Sequence, residues 1–270
     1  MPWFPLDLWL VFYLAIGVVV GFLAGLLGVG GGAITIPALT WAFQQRGFGD
    51  DQVLHLALGT CMATIVLVSL GSARAHAAHG AVDWSIVRRM TPGIVVGGLT
   101  GAWITRYIPT FTLAVLFAVF ICYVAFNMVT GWKPKPTASP PGSVGMTAVG
   151  VLISVLCALV GVGGAALTIP FLMYVSLSFH HAIGTAAALA LPIAIASSIG
   201  FVLSGLGKAG LPAGSIGYVY IPAFIGIAIG SVVLTRYGAR IAHRTSAKTL
   251  KRVFAVILCT LAAKLLWGLA

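Results

Sequence analysis

The chain has 270 residues, of which 60% are hydrophobic and 7% are charged, and its mean hydropathy is +1.10. Soluble domains carry about 25% charged residues, so this composition excludes an ordinary water-soluble globule. The 15 Lys and Arg residues outnumber the 4 acidic residues, but they are spread singly between apolar runs. We therefore expect a polytopic membrane protein rather than a nucleic-acid-binding protein.

Eight apolar runs are candidates to cross a bilayer, which takes about 20 residues per helix. They form two sets of four, near 8–27, 53–73, 86–105, 111–130, 144–160, 182–203, 216–235 and 250–268. A shorter apolar piece follows the first run of each set, at 33–43 and at 166–179, and each begins after glycines. At about 1.5 Å per residue, such a piece crosses only part of a core about 30 Å thick.

A polar, proline-rich stretch at 133–143 separates the two sets. Such sequence neither packs nor spans a membrane, so it is predicted to be a solvated linker. The chain is thereby divided into an N-terminal repeat, 1–132, and a C-terminal repeat, 144–270.

The two repeats are copies of one another. GVGGGAITIP, from Gly28, aligns without gaps on GVGGAALTIP, from Gly161, and eight of the ten positions are identical. Other matches follow in the same order along the two repeats, including a Gly-Thr pair and a Thr-Arg-Tyr triplet. An internal duplication explains this order.

Two topologies can be compared by counting Lys and Arg. If the short pieces turn back, each repeat crosses four times, and 8 basic residues face one side against 7 on the other. If they complete a crossing, each repeat crosses five times, the repeats are inverted, and the count is 11 against 4. The positive-inside rule favours the second topology, with both termini outside. We therefore predict an all-α membrane protein of two inverted repeats, each with four full spans and one short broken helix, as in transporters.

The glycine clusters before the short helices are the sharpest chemical signal. A dinucleotide-binding loop would need a βαβ unit, which the pattern does not support. Glycines at a break leave the N–H groups of the next helix exposed at the positive end of its dipole, which favours an anion. The predicted site comprises Gly30, Gly31, Gly32, Gly163, Gly164 and Ala165. Close helix packing is the alternative, and it is preferred for the GxxxG series that begin at Gly17 and Gly93.

Four threonines recur at matching places in the two repeats. Thr35 and Thr168 lie in the first turn of the short helices, while Thr60 and Thr185 lie in the span that follows. The depths of Thr35 and Thr60 differ by only about 5 Å, so the hydroxyls are candidate donors to one substrate. The alternative, equally weighted, is that each hydroxyl bonds the carbonyl four residues earlier in its own helix.

Histidines and one arginine are further candidates. His55 and His180 precede the two Gly-Thr pairs by one turn and are candidate anion or proton ligands, although their position near loops favours a boundary role. Arg74 lies beside His76 and His79, and with no carboxylate or cysteine nearby a metal site is not expected there. The four cysteines show neither disulfide nor metal spacing.

The scarcity of acids is informative. All four aspartates lie at or outside the ends of spans, so no carboxylate is available at mid-membrane to carry a proton or hold Na⁺. The chain also has no HExxH motif, paired carboxylates or Ser–His arrangement, so we expect neither an enzyme nor a cofactor. The expected partners are a small anionic substrate and the lipid bilayer; a homodimer and a non-transporting assembly subunit stay open.

The repeated strings GLLGVGGGAITIP and ALVGVGGAALTIP, each followed by a Gly-Thr pair, resemble the TauE/SafE sulfite exporter family, also called the toluene sulfonate uptake permease family. The resemblance covers nearly the whole chain. It implies an inner-membrane transporter of sulfite, sulfoacetate or other organosulfonates, with uptake as the alternative direction. Members are described with seven or eight spans, and the two short pieces account for the difference from ten crossings. Ala165 replaces the third glycine of the second cluster, so the two half-sites are not equivalent.

Overall fold

The computed structural model describes residues 6–27, 31–130, 141–242, 255–256, 258–265 and 267. Within these ranges the chain is almost entirely helical, as predicted. The elements are α1 Leu6–Leu27, α2 Gly32–Gln45, α3 Asp50–Ala78, α4 Trp84–Thr105, α5 Thr110–Thr130, α6 Ser143–Val160, α7 Ala165–Tyr174, α8 Phe179–Gly205, β1 Ser215–Ile216, β2 Val219–Tyr220 and α9 Ile221–Ala242. Helical residues also lie at 255–256 and 258–265.

Among these elements, α3, α5, α6 and α8 are each long and apolar enough to cross a membrane. The two longest, α3 with 29 residues and α8 with 27, pack against each other. At about 1.5 Å per residue both exceed the thickness of a hydrocarbon core. The short helices lie on this central pair, α2 against α3 and α7 against α8.

The structure corrects two of the sequence-based boundaries. The second short piece, expected over 166–179, ends as α7 at Tyr174, and Ser176 then adopts a left-handed conformation with φ 69°. The seventh span, expected from 216, begins only at Ile221, because 215–220 form an antiparallel hairpin. The prediction of a wholly α-helical chain is therefore wrong at this hairpin, where Gly217 has a positive φ in the turn and Gly214 has one directly before β1.

Parts of the predicted organisation lie outside the described residues. They are most of the linker 133–143, part of the last predicted span 250–268, and Gly30 of the first glycine cluster.

Two helix pairs are held at close range by the GxxxG glycines, as their spacing predicts. A β-carbon at Gly17 would lie 2.5 Å from the carbonyl oxygen of Ile227, so α1 and α9 are in backbone contact. Gly93 and Gly97 of α4 contact the backbone of α6 in the same way, at Thr147 and Val151. In both pairs the contacts advance together along the two sequences, so the helices of each pair run parallel. Small residues allow this approach in membrane helices.

We predict that Gly97→Ala destabilises the protein by about 1–3 kcal/mol, because the new methyl group overlaps the carbonyl oxygen of Val151 on α6. Gly71→Ala is the matched control, since a β-carbon on this exposed residue of α3 meets nothing within 4 Å. That change should leave stability unchanged or raise it by about 0.5–1 kcal/mol. Thermal unfolding of the purified protein in detergent measures both. Equal unfolding temperatures for the two variants would contradict the proposed packing.

Candidate functional site

The two glycine clusters meet in space. A β-carbon at Gly32, the first residue of α2, would lie 2.5 Å from the carbonyl oxygen of Gly161 and 3.4 Å from the Cys61 sulfur. The Cys61 thiol donates a hydrogen bond to the same carbonyl, with 3.5 Å between sulfur and oxygen. The start of α2 therefore lies against the break between α6 and α7. Gly31 precedes it as the N-cap and contacts Val20 of α1.

This junction lies at mid-depth in the helical bundle. A β-carbon at Gly163 would lie 3.2 Å from Ile65, near the middle of α3. One at Gly164 would lie 2.7 Å from Ile193, near the middle of α8. Because α3 and α8 are the longest helices, the break is remote from both ends of the bundle. Irregular backbone at membrane depth occurs where it is buried in protein or lines a cavity.

The second break depends on two left-handed glycines. Gly161 ends α6 with φ 65°, and Gly164 is the N-cap of α7 with φ 84°. The carbonyl oxygen of Gly164 accepts the N–H groups of Leu167 and Thr168, at 3.0 and 2.9 Å. The first two N–H groups of α7, those of Ala165 and Ala166, have no acceptor within the helix. They give α7 the donor set with which a helix N-terminus binds an anion.

The two first-turn threonines differ. The Thr35 hydroxyl donates to the carbonyl oxygen of Gly31, four residues earlier, at 2.8 Å. Thr168 is 1% exposed, and its hydroxyl has no hydrogen-bond partner among the residues that the structure describes. It lies next to Gly164, where a β-carbon would be 3.6 Å from its oxygen. Burial of a hydroxyl without a hydrogen bond is unfavourable, so Thr168 is a candidate to form a hydrogen bond with a ligand.

Thr60 and Thr185 form hydrogen bonds with segments that are distant in sequence. The Thr60 hydroxyl accepts the N–H of Tyr220, the residue before α9, at 2.9 Å. The Thr185 hydroxyl accepts the N–H of Asp83, the residue before α4, at 2.9 Å. Each hydroxyl thus fixes the entry of a long helix from the other half of the chain. The glycine before each threonine allows the backbone of that segment to come close. Gly59 contacts Tyr218, two residues before Tyr220, and Gly184 contacts Ala81, two residues before Asp83.

We predict that Thr60→Val and Thr185→Val each lower the free energy of unfolding by about 1–3 kcal/mol, because each leaves a main-chain N–H unpaired. Thr60→Ser and Thr185→Ser keep the acceptor and should be less destabilising. Thr100→Val is the control, since that exposed hydroxyl donates to Val96 of its own helix. Thermal unfolding measures the effect. Wild-type stability together with a raised KM would instead identify the two threonines as substrate ligands.

The histidines that correspond in the repeats have different surroundings. His55 is buried, its Nε2 lies 2.9 Å from the Thr105 carbonyl oxygen, and its ring packs on Tyr218 at 5.3 Å between centroids. His180 is exposed and lines a cavity at the junction of α3 and α8. Arg74 is also exposed, on the last turns of α3. Neither His180 nor Arg74 lies among the residues that contact the described glycines of the breaks.

Sequence reasoning missed two groups beside the breaks. Cys157 is fully buried, and its sulfur lies 3.5 Å from the position of a β-carbon at Gly164. Cys61, on the other side of the break, follows the Gly-Thr pair directly. Spacing is the only signal for them: Cys157 precedes Gly161 by one helical turn. All four cysteines are free.

At one end of the bundle, aromatic rings surround the side chain of Arg46, the residue that follows α2. Its guanidinium donates to the Tyr220 hydroxyl and lies 5.0 Å from the Phe48 ring centroid and 5.8 Å from that of Trp9. Phe43 and Tyr220 pack edge to face beneath it, at 5.6 Å. This cluster joins the end of α2 to the start of α9, and stacking on aromatic faces suits a guanidinium.

The sequence matches known proteins along almost its whole length. A family model described as "Sulfite exporter TauE/SafE" matches residues 13–265. A "Probable membrane transporter protein" of Haemophilus influenzae is 32% identical over 252 residues, covering 92% of this chain and 95% of that protein. "Probable membrane transporter protein YunE" of Bacillus subtilis is 22% identical over 278 residues, covering 95% and 97%. A transporter so named from Methanocaldococcus jannaschii is 27% identical, covering 94% of each chain. No solved structure matches.

Proposed function

Since the chain belongs to the TauE/SafE sulfite exporter family, we propose that this multi-pass membrane transporter exports sulfite or a small organosulfonate such as sulfoacetate across the inner membrane. The observation that carries the proposal is the buried, unpaired hydroxyl of Thr168 in the first turn of α7. The substrate oxygens would accept hydrogen bonds from this hydroxyl and from the N–H groups of Ala165 and Ala166. The positive end of the α7 dipole favours a negative charge there.

The contacts support two inverted repeats moving about this site. α1 of the first half packs parallel to α9 of the second, and α6 of the second half packs parallel to α4 of the first. The Thr60 and Thr185 hydrogen bonds are reciprocal in the same way. Such matching pairs of contacts between the two halves are expected when two copies of one unit are related by an axis in the membrane plane. Alternating access would then move one half against the other.

Charge gives the orientation of the proposed transporter. Arg74, Arg88 and Arg89 are exposed at the end of the bundle opposite Arg46. By the positive-inside rule we assign this end to the cytoplasm and the Arg46 cluster to the outside. An anion that leaves a cell negative inside gains about 2.3 kcal/mol per charge per 100 mV, so export needs no acidic relay.

We predict that Thr168→Val lowers the apparent affinity for substrate about 10- to 100-fold, because a hydrogen bond to a charged group contributes about 1.5–3 kcal/mol. Protein stability should stay unchanged or rise, since the lost hydroxyl bonds no group in the described part of the chain. Flux of labelled sulfite and sulfoacetate into proteoliposomes measures the effect.

Two variants are matched controls for this prediction. Thr168→Ser should keep most of the flux. Thr35→Val should have a smaller effect than Thr168→Val, because the Thr35 hydroxyl already bonds Gly31. Replacement of Gly31 or Gly164 with a bulky residue should abolish flux while the protein still inserts, since a β-carbon would lie only 2.2 Å from Val20 at Gly31 and 2.7 Å from Ile193 at Gly164. Equal flux in Thr168→Val and wild type would overturn the proposed site.

We predict that a cysteine at position 208 reacts with a membrane-impermeant thiol reagent in intact cells, whereas one at position 74 reacts only after permeabilisation. Lys208 and Arg74 are both exposed and lie at opposite ends of the bundle. Cys122 and Cys259 would first be replaced with alanine, since they are the exposed cysteines of the four. The reverse labelling pattern would show that the proposed orientation is inverted.

A further inference from the structure

Four histidines line one cavity at the proposed cytoplasmic end of the bundle. The cavity measures about 370 Å³ and lies where α3 ends and α8 begins. It is lined by His76, His79, Gly80, Ala81, His180, His181 and Ile183. Because α3 and α8 belong to different halves of the chain, each half contributes two of the four imidazoles.

Two helix ends of opposite dipole sign meet at this cavity. His76 is in the last turn of α3 and His79 is its C-cap, at the negative end of the α3 dipole. His180 and His181 are in the first turn of α8, whose positive end attracts an anion. The imidazoles of His76 and His79 and the N-terminus of α8 would therefore act on an anion together.

No acidic side chain is among the lining residues in the described part of the chain. The nearest acid in sequence, Asp83, accepts the N–H groups of Ser85 and Ile86 and caps α4. Among the described residues, Arg74 on α3 and Arg88 and Arg89 on α4 are exposed at the same end of the bundle. The described lining of the cavity thus presents imidazoles to an anion and no carboxylate.

The geometry does not suit a metal ion. Within the described residues, no three His, Cys, Asp or Glu side chains are placed to hold one. The His79 ring is also fixed, because its Nδ1 lies 2.7 Å from the Ala75 carbonyl oxygen and must donate to it. Its Nε2 is then the ring nitrogen left to donate to an anion.

We propose that His76, His79, His180 and His181 form an anion-binding vestibule, which captures the sulfur oxyanion from the cytoplasm when the imidazoles are protonated. The vestibule is a second site, separate from the one at α7. Ile183 lines the cavity and Ile193 contacts Gly164, so the two sites are about 15 Å apart along α8. The inference rests on the proposed function for its substrate class and direction.

The test measures binding of methanesulfonate, whose charge is constant over the working range, to the purified full-length protein in lipid nanodiscs. Histidine changes charge between about pH 5 and 8, so binding should strengthen about tenfold between about pH 7.5 and 5.5 for each imidazole that must be protonated. The variant H76Q/H79Q/H180Q/H181Q should lose this pH dependence. Thr168→Val should retain it, because that change affects only the deeper site.

A measurement on the wild-type protein avoids reliance on the fourfold variant. With ¹⁵N-labelled histidine, methanesulfonate should shift the vestibule imidazole signals toward the protonated form at about pH 6.5. His55 is the internal control, since it is buried outside the cavity and bonded to Thr105, and its signal should not move.

The outcomes separate this proposal from the proposed function. Unchanged pH-dependent binding in the fourfold variant, or unmoved vestibule signals, would overturn the vestibule while leaving Thr168-dependent flux intact. Absence of sulfur-anion flux in wild-type proteoliposomes, with the imidazole shifts present, would overturn the transport function and retain the anion site.

Discussion

The contact between Gly32 and the carbonyl group of Gly161 is the constraint on which the rest of the structure depends. Main-chain polar groups cannot be left unpaired in hydrocarbon, so a helix break at mid-membrane must be enclosed by protein. The structure encloses it between the two longest helices, with Ile65 of α3 and Ile193 of α8 on either side. A side chain at Gly32 would push α2 away from the break and expose it.

The Gly-Thr pairs extend this enclosure to both ends of the central helices. Gly59 and Gly184 permit the backbone of the opposite half to approach, and Thr60 and Thr185 accept the N–H group that enters the next helix. A glycine that removes bulk and a threonine that supplies an oxygen are both needed, because close approach without an acceptor would bury an unpaired N–H. This explains why the two residues recur together in both repeats.

Much of the helical architecture follows from the sequence, because long apolar runs and GxxxG spacing are local signals. The hairpin at 215–220 does not, since its apolar residues are indistinguishable from the start of a membrane span. For the candidate site, the sequence places glycines and threonines at the breaks. It does not show whether each threonine hydroxyl bonds its own helix, another segment or a ligand. Thr35 and Thr168 occupy the same place in two motifs that share eight of ten residues, yet only Thr35 bonds its own helix. Thr60 and Thr185 bond segments 160 and 102 residues away, which no local pattern encodes.

The two first-turn threonines make the halves of the proposed site unequal. The carbonyl oxygen of Gly161, in the second half, lies against Gly32 at the start of α2, and its partial negative charge disfavours an anion there. Among the described residues, the Thr168 hydroxyl at the start of α7 has no hydrogen-bond partner, whereas the Thr35 hydroxyl bonds Gly31. The start of α7 is therefore the half of the proposed site where a substrate oxygen can gain a hydrogen bond from a threonine without breaking another one.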